Sequence, residues 1–191
     1  MDIKPLILEA LASAQGKDDV SGSTGEVHRE RSKNFVECLA AQMLQAHAGQ
    51  GNVASMSKHN EGHRERFGMN ELLFDISVFQ YDTVGSGSSD KELSFVTKGL
   101  WIVESEMAKN KREALYDFNK LVLGKAERKL FVGPRVDDRE EDAYLRVLAK
   151  AAGNCEGELY VALIPHPDEW PAPAARVKVW TWRFGHWESI A

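Results

Sequence analysis

Two stretches of this chain set acids inside apolar runs. Glu104 and Glu106 end Leu100-Trp-Ile-Val-Glu104-Ser-Glu106, and Asp75 interrupts Leu72-Leu-Phe-Asp75-Ile-Ser-Val-Phe79. Side chains alternate across a strand, so Glu104 and Glu106 project on one face, in the row of Leu100 and Ile102. Neighbouring carboxylates repel, and burying one unpaired is costly. A bound cation removes both penalties. If the strand carrying Asp75 pairs with the strand carrying Glu104 and Glu106, the three acids converge. Hard oxygen donors of this kind suit Mg²⁺ or Mn²⁺ rather than zinc, and such an ion can activate water and stabilise a phosphodiester under attack. The plainer readings are a strand end emerging into water for the two glutamates, and a buried acid paired with a base for Asp75.

The elements that must position these acids follow from periodicity. A short helix is expected over Ile3 to Ala14, then a polar Gly/Ser-rich linker from Gln15 to Glu26. Phe35, Val36, Leu39, Ala40 and Met43 recur at helical spacing, predicting a helix over Val27 to Ala48; Glu30 and Glu37 share one edge of it. Gly49 to Gly68 breaks pattern. Its His59-Asn-Glu-Gly-His63 has zinc-like spacing but lacks the glutamate directly after the first histidine, so it reads as a polar loop. Asn70 to Tyr81 reads as a strand, Gly85-Ser-Gly-Ser-Ser as a turn, and Leu93 to Thr97 as a short strand leading into the acidic one. A helix is expected to Leu123, stopped by Gly124. Then come a strand over Lys129 to Pro134 and a helix from the capping pair Asp137 and Glu140 to Ala152. Strands over Glu158 to Ile164 and Arg176 to Arg183 complete the chain. Continuous apolar strands alternating with helices imply an α/β fold with a central mixed sheet covered by helices.

This pattern resembles the PD-(D/E)xK restriction-endonuclease-like superfamily: an acid on one strand, then apolar-apolar-acid-x-(Lys or acid) on the next, then a helix and a short apolar strand. The match runs from about Val27 to Pro134. The resemblance implies an αβββαβ core within a single domain, residues 27–191, preceded by an N-terminal helix and linker, residues 1–26. It implies that Asp75 and Glu104 are catalytic and metal-binding, that a first-helix glutamate, Glu37 or Glu30, joins the metal site, and that the ion is Mg²⁺ or Mn²⁺. Glu106 stands where the family usually has lysine. It is a candidate second-metal ligand or proton acceptor, and Lys109 is the nearest substitute lysine.

Composition narrows the partners. A formal net charge of -5 argues against a protein that coats DNA through a basic surface, but not against a nuclease whose carboxylates hold a cation. The segment containing Lys109, Lys111, Arg112, Lys120, Lys125, Arg128 and Lys129 is locally basic, though Glu113, Asp117 and Glu127 balance it. Trp170, Trp180, Trp182 and Trp187 cluster late in the chain, where base stacking, a core edge and a homodimer interface are the readings left open. The 43% apolar content supports a substantial core, no stretch is long enough to span a membrane, and the N-terminus is a poor signal peptide. Cys38 and Cys155, with no CxxC, read as reduced thiols of a cytoplasmic protein. The expected function is a metal-dependent endodeoxyribonuclease. The alternative is a catalytically inactive nuclease-fold protein acting as an interaction or regulatory module, and a third reading is an unrelated metal hydrolase.

Overall fold

The computed structural model describes residues 2–17, 20–58, 60, 63, 67–68, 72–87, 92–171 and 176–191. Its centre is a seven-stranded mixed sheet in which spatial order equals chain order. The strands are β1 (Val53–Ser57), β2 (Ile76–Gly85), β3 (Glu92–Ser105), β4 (Arg128–Pro134), β5 (Glu158–Ile164), β6 (Lys178–Arg183) and β7 (His186–Ile190). β1, β2 and β3 form an antiparallel meander, β3, β4 and β5 run parallel, and β6 and β7 return antiparallel. Four α-helices are described: α1 (Ile3–Gly16), α2 (Thr24–Gln45), α3 (Lys111–Leu123) and α4 (Asp138–Ala152). None is long and apolar enough to cross a membrane.

The sheet separates two cores. Helices α1 and α2 pack with Ile76, Val78, Trp101, Val103, Leu130, Val132, Ala162 and Ile164. Helices α3 and α4 cover Ile102, Phe131, Leu159, Val161 and Leu163. A strand buried on both faces needs apolar residues at every position, which is why β5 reads Leu-Tyr-Val-Ala-Leu-Ile after Glu158. Ile3, Ile7, Ala10, Leu11 and Ala14 of α1 lie in the same cluster as α2, so the N-terminal helix is part of the domain core.

Several boundaries differ from those expected. Helix α2 starts at Thr24, because Ser23 and Glu26 close a reciprocal capping box. Strand β2 starts at Ile76: Leu73 adopts φ 63, and Leu72 bridges to Phe74, so Asp75 sits just before the strand. Residues 70 and 71 of the expected strand, and positions 59, 61 and 62 of the histidine pair segment, lie outside the described residues. Strand β3 is one long element rather than two. Its ladder pairs Val78 with Trp101 but Phe79 with Gly99, leaving Leu100 as the extra residue of a bulge. Leu100 therefore packs on the α1/α2 side beside Trp101, not in the row of Ile102. Beyond Gln80 and before Gly99, the ladder of β2 and β3 continues alone among the described residues, save that the Tyr81 N–H donates to the Asn52 carbonyl. That arm projects from the end of the sheet opposite the acids.

Candidate functional site

The C-terminal ends of β3 and β4 meet the start of β2 at one end of the sheet. Ile76 pairs with Val103, so Asp75 and Glu104 occupy the next cross-strand position, where directly opposed Cβ atoms lie about 5 Å apart. The Asp75 carboxylate accepts the Ser105 N–H at 2.9 Å and lies 3.7 Å from the Lys58 ammonium. The Asp75 carbonyl accepts the Lys58 N–H at 3.1 Å, tying the end of β1 to the site. Burial raises the Asp75 carboxyl above its ordinary range, against the pull of Ser105, Lys58 and Lys120.

Glu104 is 1% exposed and lies between β2 and β4, on the face that α3 covers. One carboxylate oxygen accepts from the Lys120 ammonium at 3.0 Å; the other, Oε1, is buried with no hydrogen-bond partner. Burial and then the charge of Asp75 push this carboxyl up to about 8, outweighing Lys120. Lys120 bridges to Asp117 one helical turn earlier, at 2.7 Å. Desolvation works against the ammonium, but its bonds to Asp117 and Glu104 hold it charged, above the ordinary lysine range.

Glu106 projects on the same side. Its N–H donates to the Val132 carbonyl at 3.0 Å, and its Oε1 accepts the Ala108 N–H at 2.6 Å. Burial raises its carboxyl; the Ala108 N–H opposes this, and a hydrogen bond with Asp117 and the charge of Glu113 add to it. The buried Tyr144 hydroxyl, which lacks a partner, is held up by burial and by the charge of Glu106. Glycine at position 133 makes room for it, since a Cβ there would lie 2.6 Å from the hydroxyl.

A cleft of about 540 Å³ opens between α2 and the sheet end that carries Asp75 and Glu106. Its α2 wall carries His28, Arg29 and Lys33 at helical spacing; Lys58, Asp75 and Glu106 line the sheet side. The expected basic segment does not supply this wall. Lys111 pairs with Glu140, Arg128 with Glu158 at 3.0 Å, and the buried Lys129 donates to the Leu121 carbonyl at 2.8 Å. Three of the tryptophans serve the fold. The Trp170 indole donates to the Pro165 carbonyl, Trp187 donates to the Leu145 carbonyl, and Trp182 packs edge-on against Trp187.

The structure brings Asp75, Glu104 and Glu106 to one end of the sheet, as the spacing predicts. It does not bring Lys109 or the first-helix glutamates with them. Lys109 turns to Glu169, 3.8 Å away. Glu30 lies 3.7 Å from Lys33, and neither Glu30 nor Glu37 lines the cleft. Among the described residues, no three acidic, histidine or cysteine side chains cluster as a metal cage. The donors that fit a cation are thus two, Asp75 and Glu104, one with an unpartnered buried oxygen. That set matches Mg²⁺, which commonly takes one or two carboxylates and completes its shell with water and substrate phosphate. Lys120 and Asp117 escaped the sequence reading, although the Asp-x-x-Lys spacing beside the buried Phe118 and Leu121 places both on one edge of α3. No family model, curated protein or solved structure matches this chain.

Proposed function

We propose that this chain is a restriction-endonuclease-like, Mg²⁺- or Mn²⁺-dependent nuclease that cleaves DNA. The observation that carries the reading is Glu104: a buried carboxylate with one free oxygen, bonded to Lys120 and set beside Asp75, which lines a cleft with a basic wall. The order α2-β1-β2-β3-α3-β4, with β3 and β4 parallel, supports an αβββαβ core.

Asp75 and Glu104 would hold the ion, whose chemistry is to activate water and neutralise charge on the phosphoryl group. Arg29, Lys33 and Lys58 would hold the phosphates of the bound strand, cations being the usual partners of the nucleic-acid backbone. Lys120 fills the place of the missing strand lysine. It lies against Glu104, where its ammonium would stabilise charge developing on the phosphate. Glu106 accepts the Ala108 N–H, and burial and the charge of Asp117 raise its carboxyl, which favours a structural use over a second metal.

The test is incubation of the full chain with genomic DNA in Mg²⁺, Mn²⁺ or EDTA. Cleavage is expected with the metals only, reduced at least about 100-fold in Asp75→Ala and Glu104→Ala. Absence of metal-dependent cleavage, or cleavage unchanged in those variants, overturns the reading and leaves the non-catalytic module.

A further inference from the structure

We infer that Asp117 is a positioning residue that holds Lys120 against Glu104. This rests on the nuclease reading. A lysine side chain is a point charge on a flexible stem, with none of the fixed fork that orients an arginine. Lys120 is half exposed and projects from a helix rather than from the strand that carries the acids. Left with Glu104 as its one partner, it would swing out to water. Asp117 prevents this: it grips the ammonium at 2.7 Å from one turn away, while Glu104 takes it at 3.0 Å from the sheet.

A double-mutant cycle on DNA cleavage tests this, because a residue that acts through another loses its effect once the other is gone. Asp117→Asn is expected to lower kcat roughly tenfold with KM within about twofold, and to change it less than about twofold in a Lys120→Met background. Asp117→Glu is expected to recover most of the loss, and the Asp117 single variants to keep a thermal midpoint near the wild-type value. Multiplicative losses in the double variant, or a wild-type rate in Asp117→Asn, overturn the inference while the nuclease reading stands. If the wild-type chain shows no metal-dependent cleavage, both fall. If Asp117→Asn fails to fold, Asp117→Glu decides: a rate loss that persists in the Lys120→Met background overturns the inference, and one that vanishes there supports it.

Discussion

A buried carboxyl raised to about 8 keeps its proton in the folded chain over pH values where the unfolded chain has lost it. For Glu104 the sign follows directly. Its ordinary value is 4.5, so the folded state binds the extra proton between 4.5 and about 8. The stability from Glu104 is complete below 4.5, declines as the pH rises, and is gone above about 8. Glu104→Gln holds a neutral side chain at every pH. In metal-free buffer its melting midpoint should gain on wild type from roughly pH 5 to about pH 8 and level off above it; parallel curves for the two proteins would show that Glu104 titrates as a solvated acid. Glu104 stood out in the sequence because an acid within an apolar strand demands a partner. Lys120 did not: it lies on a helix surface among Glu113, Asp117 and Glu127, and reads as one member of a solvated charge pattern. Only the packing of α3 over β3 aims it at Glu104. Lys109 misled for the opposite reason, being near in sequence but past the strand end, where Glu169 takes it.

The element that aims Lys120 and Asp117 is fixed at its far end by two glycines, one on β3 and one just before β5. The connection from α3 to β4 passes against Gly99 of β3 and Gly157 before β5. A Cβ at position 99 would lie 2.7 Å from the Lys125 carbonyl oxygen, and one at 157 would lie 2.6 Å from that of Glu127. Gly157 also has φ +83, in the left-handed region. Gly157→Ala is expected to cost about 3 kcal/mol, combining left-handed strain with overpacking against backbone that cannot rotate away. Denaturant titration reads this as a lowered midpoint, and a loss under about 1 kcal/mol would mean that the connection shifts freely. Gly124, expected to end α3 through its conformational freedom, has an ordinary φ of -77; it is required because a Cβ would overlap Ile102 and Phe74. Elements whose own residues carry the signal were legible, such as β5 and the Asp137 cap, which accepts from Arg139 and Glu140. Strands β1 and β7 were not. Val53-Ala-Ser-Met-Ser57 and His186-Trp-Glu-Ser-Ile190 have little alternation, and each is held by the ladder that its one neighbour offers.

At the scale of the molecule, a net charge of -5 coexists with a basic wall on α2, because charge is distributed by element and not by chain. The acids at the sheet end share one sign of perturbation: Asp75, Glu104 and Glu106 are all raised, with burial the leading cause for each. Each therefore makes the metal-free fold less stable as the pH climbs from its ordinary value to its raised one, a window that for Glu104 ends at about 8. A cation reverses this, since it binds the charged carboxylates and must displace their protons. Its affinity should rise with pH up to about 8, where Glu104 ionises. A ligand at 100 times its Kd adds about 2.7 kcal/mol to the folded state. In a chain of this size that moves the melting midpoint by roughly 5 to 10 °C. Thermal melts with Mn²⁺ should thus show a saturable upward shift near pH 8, a smaller one near pH 6 at equal concentration, and none in Asp75→Ala. Proton release measured by calorimetry in two buffers should accompany binding near pH 6 and fade as the pH approaches about 8. A midpoint that ignores Mn²⁺ at every pH would leave the raised acids without a cation to answer them, and the fold would have to carry their cost alone.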